Sequence, residues 1–256
     1  MHKRETIWII GASEGIGAAL ARQWASRGVR LILSARTSKR LEGLTAELGS
    51  DHIALPMDVS ARESVNAAAA KIAEFGPLDR VIHLAAIYDP GKVADLDPDI
   101  AAQIININLT GSFHVAQNAP ALLREGGQLA FCGSVAGYVG LPQGQIYSAT
   151  KAGVINLAET LRAELAGSID VRLISPGFVD TRLTQRNDFT MPALITPQSA
   201  ADTIIKGLSS RKFEVHFPRR MTFSLKLLQA LPYWALFPLT RRLTQCPPSQ
   251  NNSSAI

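Results

Sequence analysis

The chain predicts an α/β fold, a doubly wound parallel sheet of about seven strands with helices on both faces. Three observations point there. Short apolar runs alternate with longer segments of helical period along the 256 residues. A glycine-rich turn, GASEGIG, joins the first apolar run to the first helical one. No repeat or linker interrupts the pattern before residue 211, so the chain reads as one large domain over 1–218. An apolar and basic extension follows over 219–245, then a polar tail at 246–256 expected to be disordered.

The first strand is expected at 6–10, where TIWII is apolar and rich in β-branched residues. The start, MHKRETIWII, briefly imitates a signal peptide, but its apolar run is too short and the glycines from Gly11 to Gly17 break it. Further strands are expected at 30–34, 52–55, 80–85, 128–132, 171–175 and 213–217. Helices are expected between them at 15–27, 38–48, 61–75, 98–123, 147–166 and 197–208. Gly28 and Gly49 stand where helix C-terminal glycines belong. Ser60-Ala-Arg-Glu63 reads as a capping box, and Gly76-Pro77 stops the helix that it opens. Strand–helix alternation implies a parallel sheet, whose ligands sit at the carboxyl ends of the strands where strand order reverses.

Composition excludes several classes. At 46% apolar and 18% charged the chain is an ordinary globular one. Its two cysteines, Cys132 and Cys246, lack metal or redox spacing, which argues against a disulfide framework or a structural zinc and fits a reducing, cytoplasmic compartment. No metal site is expected. No apolar run reaches the length of a membrane span. The net charge of +5 is concentrated at the C-terminus: residues 211–242 hold seven basic side chains against Glu214 alone. Such a surface favours anionic partners. There is no nucleic-acid recognition motif, and none is expected to bind.

A glycine turn between a strand and a helix lets the backbone approach a pyrophosphate, which the helix N-terminus then holds. Where a dinucleotide fold that prefers NAD carries an acid at the end of its second strand, this chain has Ala35 and then Arg36. A carboxylate there would repel a ribose 2′-phosphate and a guanidinium would hold it, so NADP (NADPH) is the expected cofactor. Farther on, YSATK sets Tyr147 and Lys151 four apart, on one face of a helix. A cation beside a phenol favours its ionised form.

With GASEGIG, Asn108, Ser134 and YSATK in one order, the chain resembles the short-chain dehydrogenase/reductase family over about residues 5 to 217. The resemblance implies a Rossmann-type domain and an oxidoreductase interconverting a carbonyl and an alcohol. Tyr147 would be the acid/base, Lys151 would tune it and hold the nicotinamide ribose, Ser134 would orient the carbonyl oxygen, and Asn108 would hold a relay water. It implies cofactor contacts from Gly11, Ser13, Glu14, Gly15, Ile16, Gly17, Arg36, Asp58, Val59, Ala85, Tyr147 and Lys151. SPGFVDT adds Pro176, Gly177, Val179 and Thr181 on the nicotinamide side. Departures are Ile10 for the usual threonine, His83-Leu84-Ala85-Ala86 for NNAG, and Gly133 for a frequent serine. His83 is expected to be packed or hydrogen-bonded rather than catalytic, and Gly133 to bring backbone close to substrate.

The segment RRMTFSLKLLQALPYWALFPLTRR lies outside the resemblance. A short helical piece is expected at 222–231, with Pro232 and Pro238 breaking the remainder of the segment. Two readings stay open: a lid or subunit contact folded onto the domain, or an interfacial segment over 219–242 with Tyr233, Trp234 and Phe237 in the lipid headgroup layer. Because the cleft borders this segment in related folds, both suggest a bulky apolar small-molecule substrate. A homo-oligomer, dimer or tetramer, is expected. The rival to an enzyme is a dinucleotide-sensing or membrane-surface protein on the same fold.

Overall fold

The computed structural model describes residues 4–187 and 190–243. β1 (Thr6–Ile10), β2 (Arg30–Ser34), β3 (Ile53–Ala54), β4 (Leu78–His83), β5 (Leu123–Cys132), β6 (Asp170–Pro176) and β7 (Glu214–Phe217) form one sheet. Its order is β3-β2-β1-β4-β5-β6-β7, with every pairing parallel. The helices are α1 (Gly15–Ala25), α2 (Ser38–Leu48), α3 (Arg62–Ala73), α4 (Pro98–Ile105), α5 (Gly111–Leu122), α6 (Gln145–Glu164) and α7 (Pro197–Leu208).

The two-residue period of β1 divides the core. Trp8 and Ile10 join Phe131, Val81 and the inner faces of α3, α5 and α6 on one side of the sheet. Ile7 and Ile9 join Leu31, Leu33 and the inner faces of α1, α2 and α7 on the other. Strands buried on both faces carry near-continuous apolar runs, which is why each was visible as one. Strand order reverses between β1 and β4, so the crevice of a doubly wound sheet opens at the carboxyl ends of these two strands.

Several boundaries differ from expectation. The helix expected over 98–123 is α4, a π-helical turn at Asn106–Thr110, and α5, and Leu123 already belongs to β5. The capping box does not form: α3 is capped at Ala61 without a side-chain bond. Asp58 takes Ser60 instead, its Oδ1 accepting from the Ser60 N–H at 2.9 Å and hydroxyl at 2.7 Å. This two-residue turn satisfies the serine before the helix can use it.

After β7 the chain forms α8 (Arg219–Gln229) and α9 (Tyr233–Leu243). Pro232 ends the first as expected, but Pro238 lies inside the second. Its ring sits on an exposed flank, where water can satisfy the carbonyl that a missing N–H leaves free. On α8, Leu225 packs with Val135 and Tyr138 into a small third core, with Met221 and Leu228 against it. Glu214 anchors this corner: it accepts the Tyr138 hydroxyl and pairs with the Lys226 ammonium. Burial pushes its carboxyl upward, but the Lys226 and Tyr138 hydrogen bonds outweigh that and hold it below the ordinary range. No helix among the described residues is long and apolar enough to cross a membrane. Cys246 and the 246–256 tail lie outside the described residues.

Candidate active site

The glycine turn is built so that nothing larger fits. Gly11 has φ +88°, and a Cβ there would lie 2.6 Å from the Ala85 nitrogen beyond β4. At Gly17 a Cβ would fall 2.1 Å from the Gly11 carbonyl oxygen, and at Gly15 one would press on the Thr181 methyl at 3.0 Å. Three segments thus meet here: the turn and the loop after β4 through backbone, and the loop after β6 through the Thr181 side chain. The first turn of α1 carries no acidic residue and no side-chain cap, so its N–H groups are available to an anion.

Tyr147 and Lys151 lie one turn apart on α6, the ammonium 5.7 Å from the phenol ring centroid. Lys151 is buried and its Nζ donates to the Cys132 carbonyl at 2.7 Å. Burial lowers its pKa, and burial raises that of Tyr147, opposed by a hydrogen bond with Ser134. The expected lowering by the cation does not dominate: Nζ lies near the ring and is engaged elsewhere, while the hydroxyl is desolvated. The Tyr88 ring meets Tyr147 edge-on at 4.8 Å, and its hydroxyl donates to Asn187 Oδ1 at 2.8 Å. Arg186 Nη1 donates to the Tyr88 carbonyl at 2.7 Å, so the loop after β6 is tied across the mouth to the loop after β4.

Ser134 lies two residues beyond β5, its Oγ accepting from the Ala136 N–H at 3.1 Å. Gly133 lines the cleft and also has a packing reason: a Cβ would crowd Ile155 and Leu173, both at 3.1 Å. Asn108 occupies the π-helical turn, a device that inserts one residue and re-aims a side chain. Its Oδ1 accepts from the Ile87 N–H at 2.8 Å, and its Nδ2 donates to the Ile87 carbonyl at 2.9 Å and to Thr150 Oγ1 at 3.3 Å. It therefore ties the loop after β4 to α6 without reaching the cleft. His83 is packed, as expected. Its Nε2 lies 3.0 Å from the Ser112 hydroxyl and burial drives its pKa down to about 3, with Lys151 acting in the same direction.

One cleft of about 340 Å³ runs from the glycine turn to the phenol. Gly11, Ser13, Glu14, Gly15, Ile16, Gly17, Arg36, Val59, Ala85, Ser134, Tyr147, Lys151, Pro176, Gly177, Val179 and Thr181 line it. Asp58 and Asn108, also expected at the site, do not. The Asp58 carboxylate serves the Ser60 turn, and Asn108 is fully buried. Arg40 and Arg182 line the cleft unforeseen. Both are drawn to Glu14, at 2.5 and 3.8 Å, a convergence of three distant segments that no local spacing could reveal.

The model of the short chain dehydrogenase family matches residues 5–191. An uncharacterized oxidoreductase of Staphylococcus aureus is 33% identical over 210 residues, 80% of this chain and 90% of that one. One of Staphylococcus epidermidis is 30% identical over 211 residues, covering 81% and 92%. Among solved structures, a short-chain dehydrogenase from Sphingobium yanoikuyae in complex with NADPH aligns with a TM-score of 0.77 and 25% identity over 98% of both chains. A short chain dehydrogenase from Burkholderia cenocepacia in complex with NADP shares the fold, with a TM-score of 0.81 and 22% identity over 93% of this chain and 98% of that one. With the motifs assembled on one cleft and the family model spanning most of the domain, the chain belongs to the short-chain dehydrogenase family of oxidoreductases.

Proposed function

We propose that this protein is an NADPH-dependent reductase that converts a carbonyl on a bulky apolar substrate to an alcohol, with Tyr147 as proton donor. The observation that carries the reading is the continuity of the cleft: the glycine turn and Arg36 at one end, Tyr147, Ser134 and Lys151 at the other. The residues fit the cofactor. A Cβ at Gly11 or Gly17 would strike backbone and force the tight turn open, and the uncapped start of α1 suits a pyrophosphate. Arg36 follows β2 where no acid stands to repel a 2′-phosphate. The NADPH complex of the Sphingobium relative supports the same choice.

NADPH, when bound, supplies the hydride. Arg36 would hold the 2′-phosphate, and Pro176, Gly177, Val179 and Thr181 would border the nicotinamide. The Ser134 hydroxyl orients the carbonyl oxygen, and Tyr147 Oη–H gives that oxygen its proton as negative charge develops there. Burial raises the pKa of this phenol, so it stands protonated at neutral pH, the form that can donate in reduction. Lys151 stands beside the phenolate that proton transfer leaves. Asn108 holds Ile87 and α6 in register through its side-chain amide. Apolar walls come from Ile87 and Leu183. The enzyme acts in the cytoplasm as a homo-oligomer, a reading that exposed Ile105 and Phe113 on the α4–α5 side support.

The test is NADPH oxidation by the purified protein across aldehydes and ketones graded in alkyl size. Turnover that rises with apolar bulk, with one alcohol formed per NADPH consumed, is expected. No NADPH consumption anywhere in the series would overturn the reading.

A further inference from the structure

The two C-terminal helices carry apolar side chains on their outer faces. On α8, Thr222 and Leu225 face the domain, while Phe223 and Leu227 are 63% and 69% exposed. On α9, Leu236 and Thr240 face inward, while Tyr233 and Trp234 are 73% and 79% exposed. Tyr233 and Phe237 stack with ring centroids 5.3 Å apart. At about 100° per residue, Arg219, Arg220, Phe223 and Leu227 share one side of α8, and Tyr233, Trp234, Phe237 and Arg241 one side of α9. Exposed apolar stripes of this kind mark an interaction surface.

Charge selects the partner. Arg219 and Arg220 open α8, whose first turn holds no acid, so they oppose the helix dipole and do not serve the helix itself. Glu214, the last acidic residue of the chain, already neutralises Lys226. A second copy on this face would bring arginine against arginine. A bilayer surface meets both needs at once, with interfacial aromatics in the headgroup layer and arginines on phosphates.

We propose that the outer face of α8 and α9 docks on a membrane surface that carries anionic lipid. The proposal is independent of the reaction assigned to the cleft. Docking would also place the cleft mouth near the lipid. α8 packs on the loop that borders the cleft, close enough that a Cβ on Gly177 would lie 3.0 Å from the Met221 methyl.

Tryptophan fluorescence gives a direct test on the full chain, because Trp8 and Trp24 are buried and Trp234 is exposed. Vesicles of phosphatidylcholine with phosphatidylglycerol should shift emission to the blue and carry the protein in flotation. Pure phosphatidylcholine should bind at least about tenfold more weakly, and added salt should release the protein. Trp234→Ser should abolish the shift and weaken binding about tenfold. Arg219→Ser with Arg220→Ser should weaken it about twentyfold while NADPH turnover on a soluble carbonyl is kept. Absence of flotation at low salt, equal binding to neutral vesicles, or binding unchanged in both variants would overturn the proposal. So would a blue shift that grows with protein concentration without vesicles, with a dimer in sedimentation that Trp234→Ser dissolves, since the occupant would then be a second copy.

Discussion

At Gly17 one added methyl would land 2.1 Å from a backbone carbonyl, whereas at Trp234 an indole 79% exposed can be removed without opening a cavity. Both sites lie in short apolar stretches near arginines, yet they are constrained by different things. The glycine turn is constrained from within, because β1, β4 and the loop after β6 converge on it. The outer faces of α8 and α9 leave Phe223, Leu227, Tyr233, Trp234 and Phe237 more than half exposed, so packing within the chain does not account for their composition. A residue type dictated by contact can be read from the fold alone, and one that faces outward is read from its chemistry.

Substitutions test that contrast directly. The largest effect belongs to Gly17→Ala, expected to lose about 3 kcal/mol of stability in urea unfolding and to abolish NADPH binding by calorimetry. A tolerated alanine would mean that the turn has slack the geometry denies. Next, Arg36→Ala should weaken NADPH about thirtyfold and leave NADH unchanged, since only the 2′-phosphate contact is removed. Equal losses for both cofactors would place Arg36 elsewhere.

Glu214 ties α8 to β7 and Tyr138, and its effect is smaller because Lys226 can turn to solvent. Glu214→Gln should cost about 1 kcal/mol at neutral pH and speed hydrogen exchange in α8 before the sheet. The folded carboxyl is held below its unfolded value. Its contribution is therefore full above the unfolded pKa and is lost as pH falls through the folded one, so wild type and variant should converge in acid. A gap that persists in acid would mean that packing, not charge, secures α8. Smallest of all, Trp234→Ser should change unfolding stability by less than about 0.5 kcal/mol. A large loss would show that the α9 face is covered by the chain itself.

The central strands are legible because apolar runs buried on both faces, as in β1 and β2, stand out against the helical segments between them, while β3 and β7 are short and only half buried. Strand ends were less so: β5 begins at Leu123, inside what reads as helix, because its early residues are polar and pair only irregularly with β4. The π-helical turn was invisible, since it arises from the tertiary hold of Asn108 on Ile87 and not from any local spacing. Motif order brought Ser134, Tyr147 and Lys151 to one cleft as expected. It misjudged the electrostatics, because i to i+4 spacing reports that two groups are near and says nothing of how dry the hydroxyl is. Asp58 shows the same limit from the other side: a motif position was legible, but a serine two residues away engages its carboxylate.

In the proposed reaction a proton moves at one atom, Tyr147 Oη, while NADPH would be held by other residues of the cleft. Tyr147→Phe separates the two. NADPH affinity should stay within about twofold of wild type, while turnover on the best carbonyl falls about a thousandfold. Full turnover by the phenylalanine variant would contradict the account.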